Sequence, residues 1–179
     1  MADEALRDAL ASSQRLGMLG DRPVEEIIEH ALAFVGALVG IEGTVVDLGS
    51  GGGVPGLVVA WHRPDLRVVL VDRRSARSDH LRRLARRLAL SDRVEVRSAD
   101  AFALDPSSFE PLSPVQAVTA RGFGAPSVTA AAASRLLTPG GVLVVSEPPG
   151  GADDRWAGVA GFTRLVWDDR RVARLRRST

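Results

Sequence analysis

The sequence predicts an α/β fold, a doubly wound and mostly parallel sheet preceded by N-terminal helices. Three observations carry this. After residue 40, short β-branched runs alternate with longer stretches of helical period, and strands separated by helices imply βαβ units with right-handed crossovers. A glycine run, Gly49-Ser50-Gly51-Gly52-Gly53, directly follows the first β-branched run. Hydrophobic residues make up 45% of the 179 positions, enough to build one packed core. We therefore expect one domain over 1–179, with a helical segment at 1–40 and an α/β core at 41–179.

The elements follow in order. The N-terminal part reads as helix. Val24, Ile27, Ile28, Ala31, Phe34, Val35 and Leu38 fall at helical spacing after Pro23, with Glu25 and Glu26 near the positive helix end. Thr44–Leu48 is the first strand and Gly53–Trp61 the next helix. Arg67–Val71 is the second strand, and a helix runs from about Arg74 to Leu90. Arg93–Arg97 and Val115–Thr119 are strands three and four, and Pro126–Leu137 is a helix. Thr138-Pro139-Gly140-Gly141 is a turn, and Val142–Ser146 is the fifth strand. A last helix is expected over Asp153–Val159, and Phe162–Trp167 with Arg171–Leu175 form a closing strand pair. Such an arrangement is Rossmann-like. Its ligands sit beyond the carboxyl ends of the strands, so the residues just after strands one to four are the candidates.

Composition removes several chemistries. Cysteine is absent, which excludes disulfides, thiolate metal sites and a Cys nucleophile. All 23 basic residues are Arg, and Lys and Tyr are missing, so neither acts in catalysis. His30, His62 and His80 are too far apart in sequence to suggest a metal site. The acidic start has no apolar signal core and no run reaches the length of a membrane span, so a cytoplasmic location without membrane attachment is expected. A net charge of +1 supplies no global field toward nucleic acid. Local clusters remain. Arg73, Arg74, Arg77, Arg82, Arg83, Arg86 and Arg87 crowd one helix, and Arg170 to Arg177 is basic as well. On a helical wheel Leu81, Leu84 and Leu88 share one face and most of these arginines lie opposite. A solvated outer face explains them best, while phosphate binding stays open. Aromatic residues, at 4%, offer no stacking platform.

Gly51-x-Gly53-x-x-Gly56 matches the dinucleotide fingerprint, but that match alone is weak. Asp47 tips the reading. A carboxylate two residues before Gly49 repels a pyrophosphate, yet accepts a hydrogen bond from an ammonium, directly or through water. The loop therefore suits the amino-acid end of S-adenosylmethionine. Asp72 follows the second strand about 20 residues on, where a carboxylate accepts from a ribose diol. A helix N-cap is the plainer role for it, but the spacing favours ligand contact. After the third strand, Asp100 suits an adenine amino group and Ala99 offers a backbone N–H. Arg121, after the fourth strand, suits a cofactor carboxylate or a phosphate, or is simply solvated.

Val46-Asp47-Leu48-Gly49-Ser50-Gly51-Gly52-Gly53-Val54-Pro55-Gly56, with Val71-Asp72, Thr119-Ala120-Arg121 and Leu137-Thr138-Pro139-Gly140-Gly141, resembles the bacterial small-subunit rRNA guanine-N7 methyltransferases. Gly-x-Pro-Gly is the most specific part, and Arg22-Pro23-Val24 through His30 also resembles that family. The likeness runs from about Gly17 to Gly150. It implies a class I methyltransferase fold, S-adenosylmethionine as cofactor, and rRNA or the small ribosomal subunit as partner. It implies cofactor contacts at Gly49, Val54, Ala99, Asp100 and Arg121, and a ribose contact at Asp72. With the loop residues, the candidate cofactor set is Asp47, Gly49, Ser50, Gly51, Gly53, Val54, Asp72, Ala99, Asp100 and Arg121. No catalytic residue and no metal ligand is assigned, since guanine N7 has a free lone pair and needs no base. A monomer is expected.

The family's Trp-Asn pair in its N-terminal helical segment has no match here. Its Leu-Lys-Gly after the fifth strand is replaced by Ser146-Glu147-Pro148. These departures keep two alternatives open, a small-molecule methyltransferase and a non-catalytic cofactor-binding paralogue. A nucleotide-binding oxidoreductase ranks last.

Overall fold

The structure is a computed structural model that describes residues 2–109, 114–148 and 155–178. Two helices come first, α1 (Ala2–Arg15) and α2 (Val24–Ala37). The α/β core follows as β1 (Gly43–Leu48), α3 (Gly56–His62), β2 (Leu66–Asp72), α4 (Ser75–Arg87), β3 (Val94–Ser98), β4 (Val115–Ala120), α5 (Pro126–Leu136) and β5 (Leu137–Ser146). The chain closes with β6 (Phe162–Leu165) and β7 (Val172–Arg177). The sheet has seven strands in the order β3-β2-β1-β4-β5-β7-β6. The first five in that order are parallel, while β7 is antiparallel to both β5 and β6. The order reverses between β1 and β4, which places the switch point of the sheet at their carboxyl ends.

The strands alternate between two buried faces, because successive side chains point to opposite sides of a sheet. Val45, Val68, Leu70, Ala117, Val142 and Val144 pack on one face beneath α1 to α4. Val46, Leu48, Val69, Val71, Val118, Leu143 and Val145 pack on the other, against α5 and Trp156. The near-continuous apolar strands follow from this double burial. α2 begins after Pro23, whose missing N–H costs nothing at a helix start, and Pro126 opens α5 in the same way. A buried hydrogen bond of 2.9 Å between the Ser13 hydroxyl and His80 Nε2 ties α1 to α4.

Most expected elements form close to their expected bounds, and three differ. The helix after β1 starts at Gly56, not Gly53, because residues 51–55 are turns. Thr138 to Gly141 is a bulge within β5. Leu137 pairs with Val115 and Val142 with Ala117, leaving four residues to loop out. The helix expected over Asp153–Val159 is absent where it can be seen. Residues 155–158 are turn and Val159 lies outside any helix, as the positive φ of Gly158 demands, while Asp153 and Asp154 fall outside the described residues.

The arginine-rich α4 buries Leu81, Leu84 and Ala85 and turns Arg83, Arg86 and Arg87 to solvent. Arg82 and Arg87 reach the exposed carboxylates of Asp79 and Asp8. The basic segment Arg171 to Arg177 lies largely in β7, as the expected closing strand pair requires. Among the described residues no helix is long and apolar enough to cross a membrane.

Phe34 is fully buried where α2 meets the sheet. Phe34→Ala should cost about 3–5 kcal/mol, read as a lowered urea midpoint. A loss below about 1 kcal/mol would mean that α2 does not dock as described.

Candidate cofactor and acceptor site

The carboxyl edge of the sheet is organised by Asp47. Its side chain is fully buried near the end of β1. The Thr119 hydroxyl from β4 donates to Oδ1 at 2.7 Å, and the Gly56 N–H at the start of α3 donates to Oδ2 at 3.2 Å. The carboxylate thus satisfies an otherwise unpaired donor at a helix N-terminus, where negative charge is favoured. Gly56 has to be glycine here, because a Cβ would run into Leu70 and lie 2.6 Å from Asp47 Oδ2. Burial pushes the Asp47 carboxyl up to about 6, against the opposing pull of the Thr119 and Gly56 hydrogen bonds and the charge of Arg121.

The glycine loop is then held from its other side. The Ser50 N–H donates to the Val71 carbonyl and the Val71 N–H donates to Ser50 Oγ, so Ser50 extends the β1–β2 pairing. The Gly51 N–H donates to Asp72 Oδ2 at 2.9 Å, and the Arg74 N–H donates to Oδ1 at 2.9 Å. Arg77 stands 3.8 Å from the same carboxylate. Asp72 therefore knots the loop to the turn into α4. Gly49 has φ +68, and a Cβ there would sit 3.0 Å from the Phe123 ring. Only glycine takes that backbone shape without strain while leaving the adjacent space open.

Three cavities open along this edge. A cleft of about 330 Å³ lies over β1, β2 and β3 and is lined by Gly49, Asp72, Ala99, Asp100, Phe102 and Phe123. A larger cavity of about 1320 Å³ lies between the start of α2 and the β5–β7 edge, and includes Arg22, His30, Arg121, Glu147, Trp167 and Arg171. A third, of about 210 Å³, lies beside Thr129, Glu147 and Trp156. Gly122 borders all three, so it is the junction between them.

Of the ten residues expected at a cofactor, four line the cleft: Gly49, Asp72, Ala99 and Asp100. Arg121 faces the larger cavity instead. Asp47, Ser50, Gly51, Gly53 and Val54 are buried behind the cleft. Asp47 has no exposed surface, so direct contact with a ligand ammonium is replaced by support of the loop from below. Val54 packs into the core. The Ala99 N–H does not point to a ligand, because it donates to the Asp72 carbonyl and prolongs the β2–β3 pairing. Asp100 accepts from the Phe102 N–H at 2.8 Å, which fixes the turn after β3.

The structure adds residues that sequence reasoning missed. Phe102, 44% exposed, and Phe123 line the cleft, two aromatic rings in a chain poor in them. Only their positions after strands three and four hint at this. In the larger cavity, burial lowers the His30 pKa, helped by the positive charges of Arg121, Arg171 and Arg22. Burial and Arg22 likewise lower that of Arg121. This wall concentrates positive charge, with Glu29 and Asp169 partnering Arg171. Among the described residues no group of His, Asp and Glu is arranged to hold a metal ion.

The cleft fits an adenosine-type ligand with a charged amino-acid end. Asp72 and Asp100 offer carboxylates, which accept from hydroxyl and amino groups, beside Arg73, Arg74 and Arg77. Its walls carry aromatic rings. The backbone at Gly49 is bare.

The family model described as "rRNA small subunit methyltransferase G" (GidB) matches residues 7–147. The match thus begins in α1, earlier than Gly17. The ribosomal RNA small subunit methyltransferase G of Mycolicibacterium gilvum is 35% identical over 77% of this chain and 60% of its own length. That of Acidothermus cellulolyticus is 36% identical over 72% of this chain and 55% of its own. The chain therefore spans a little over half the length of these relatives. Among solved structures, a Bacillus cereus O-methyltransferase in complex with SAH superposes with a TM-score of 0.67 at 17% identity, covering 98% of this chain and 91% of that one. A methyltransferase from Geobacter sulfurreducens gives 0.65 at 19% identity, covering 96% and 89%. At these identities the superpositions establish the shared fold.

Asp47 titrates above its unfolded value, so between pH 4 and 6 the folded chain binds more protons than the unfolded one. Its contribution is full below about pH 4 and is lost as pH rises through about 6, on the order of 3 kcal/mol. Asp47→Asn should remove this component. Urea unfolding at pH 5 and pH 7.5 checks it, and an identical pH response in the variant would refute the assignment.

Proposed function

The chain belongs to the GidB family of rRNA small subunit methyltransferase G proteins, and on that premise we propose that it transfers a methyl group from S-adenosylmethionine to guanine N7 in small-subunit rRNA. The observation that carries this reading is the cleft at the switch point, where Gly49, Asp72 and Asp100 converge beside Phe102 and Phe123. Bound there, the cofactor would supply an electrophilic methyl on a sulfonium, already activated for in-line displacement.

The chain's own task is then orientation. Gly49 lets the ligand approach the backbone. Asp72 keeps lone pairs available for a ribose diol, although both oxygens also accept backbone N–H groups. Asp100 stands at the adenine end. Gly122 opens the cleft toward the larger cavity, where the acceptor would lie. Arg22, Arg121 and Arg171 supply positive charge that suits RNA phosphate there. An acceptor nitrogen with a free lone pair needs no general base, which agrees with a junction lined by Gly122 and Phe123.

Two measurements test this. Calorimetry should give micromolar binding of S-adenosylhomocysteine, about −8 kcal/mol, with no binding of NAD. Gly49→Val should weaken that binding at least ~100-fold, because the added side chain meets Phe123 and strains the turn. Wild-type affinity in this variant would displace the cofactor from the cleft. Labelled methyl transfer to small ribosomal subunits should appear as 7-methylguanosine after nuclease digestion. Transfer to free metabolites alone would select the small-molecule reading.

A further inference from the structure

Glu147 is the residue immediately after β5. Its N–H donates to the Arg171 carbonyl at 2.8 Å, which continues the sheet by one step. Its side chain is only 3% exposed. Neither carboxylate oxygen has a hydrogen-bond partner among the described residues. Arg155 Nη1 lies 3.7 Å from Oε2, and Arg164 Nη2 lies 4.0 Å from Oε1. At those distances the guanidinium groups balance charge without filling the lone pairs. A carboxylate has room for about four hydrogen bonds, and leaving a buried one without any is costly. Glu147 borders both the large and the small acceptor-side cavities, which meet the cofactor cleft at Gly122. Its two oxygens are covered and ion-paired to Arg155 and Arg164, yet accept no hydrogen bond from the described residues, so the cavity wall carries acceptor capacity that this fold leaves unused.

We propose that Glu147 is the specificity-determining residue for the methyl acceptor, its carboxylate accepting the N1–H and N2–H protons of guanine. This rests on the reading of guanine N7 as the acceptor atom. In guanine the two adjacent N–H donors lie across the bicyclic ring from N7. A base that turns N7 toward Gly122 therefore directs its donor edge into the cavities that Glu147 borders. Adenine presents a lone pair at N1, which the carboxylate repels, so the same group selects for guanine and against adenine. Arg155 and Arg164 balance the negative charge at distances too long for a hydrogen bond, so a base that reaches the carboxylate meets unfilled lone pairs.

The test compares guanosine and inosine 5′-monophosphates, which differ only in the 2-amino group. Each is titrated into the full chain saturated with S-adenosylhomocysteine. Wild type should bind the guanine nucleotide about tenfold more tightly. E147Q should reduce that preference to below about twofold with S-adenosylhomocysteine affinity unchanged. Equal binding of the two nucleotides to wild type overturns the proposal, and this arm needs no variant. A preference that survives in E147Q also overturns it. Assay of 7-methylguanosine in small ribosomal subunits separates the two readings. A nucleotide preference without methyl transfer supports the role of Glu147 and refutes the reaction. Methyl transfer without a preference refutes the role of Glu147 alone.

Discussion

The buried carboxylate of Asp47 is the constraint on which this molecule depends. It joins β1, β4 and α3 through the Thr119 hydroxyl and the Gly56 N–H, and it does so with no exposure to water. An ionised group in that position carries a large desolvation penalty, which is why its pKa rises. The fold tolerates the penalty because the hydrogen bonds and the helix N-terminus offset much of it. In return, the first residues after β1 and β4 are brought to a common level. Gly49 and Gly122 stand on that level, one bordering the cleft and the other the junction of all three cavities.

Asp72 repeats the device one strand away. Its two oxygens receive the N–H groups of Gly51 and Arg74, so the glycine loop and the entry to α4 are fixed to each other. A rigid rim follows from these paired anchors. Catalysis by positioning requires such a rim, since the reactive group would come with the ligand. The cleft presents Asp72 and Asp100 beside Arg73, Arg74 and Arg77, whereas the larger cavity collects Arg22, Arg121 and Arg171, with Glu147 as its one buried carboxylate among the described residues. Donor groups of a ligand can be met at Asp72 and Asp100, and phosphate at the arginines of the larger cavity.

Much of the fold was legible because its signals are local. Alternating β-branched runs and helical spacing placed five parallel strands and most of the helices within a few residues. The errors are local too. Turns at 51–55 delay α3, and the bulge at 138–141 hides inside one strand. The site was legible only in outline. Glycines and acidic residues after strands one to three pointed to the carboxyl edge of the sheet, but not to which atoms remain free there. Ser50 and the Ala99 N–H are consumed by strand pairing, and Val54 by the core. Whether a polar group faces a ligand or its own fold depends on partners dozens of residues away, such as Thr119 for Asp47.

The sequence by itself determined the alternation of strands and helices, the glycine loop between Asp47 and Gly56, and the chemistry excluded by the absence of Cys, Lys and Tyr. Those are properties of residue type and near-neighbour spacing, which the chain carries before it folds. Tertiary structure decided that Asp47 supports the loop, that Phe102 and Phe123 share one cleft, and that Gly122 joins three cavities. It also decided that Glu147 is buried without a hydrogen bond among the described residues. Each of these results from convergence of segments distant in sequence, and only packing around a shared sheet brings such segments within hydrogen-bonding distance.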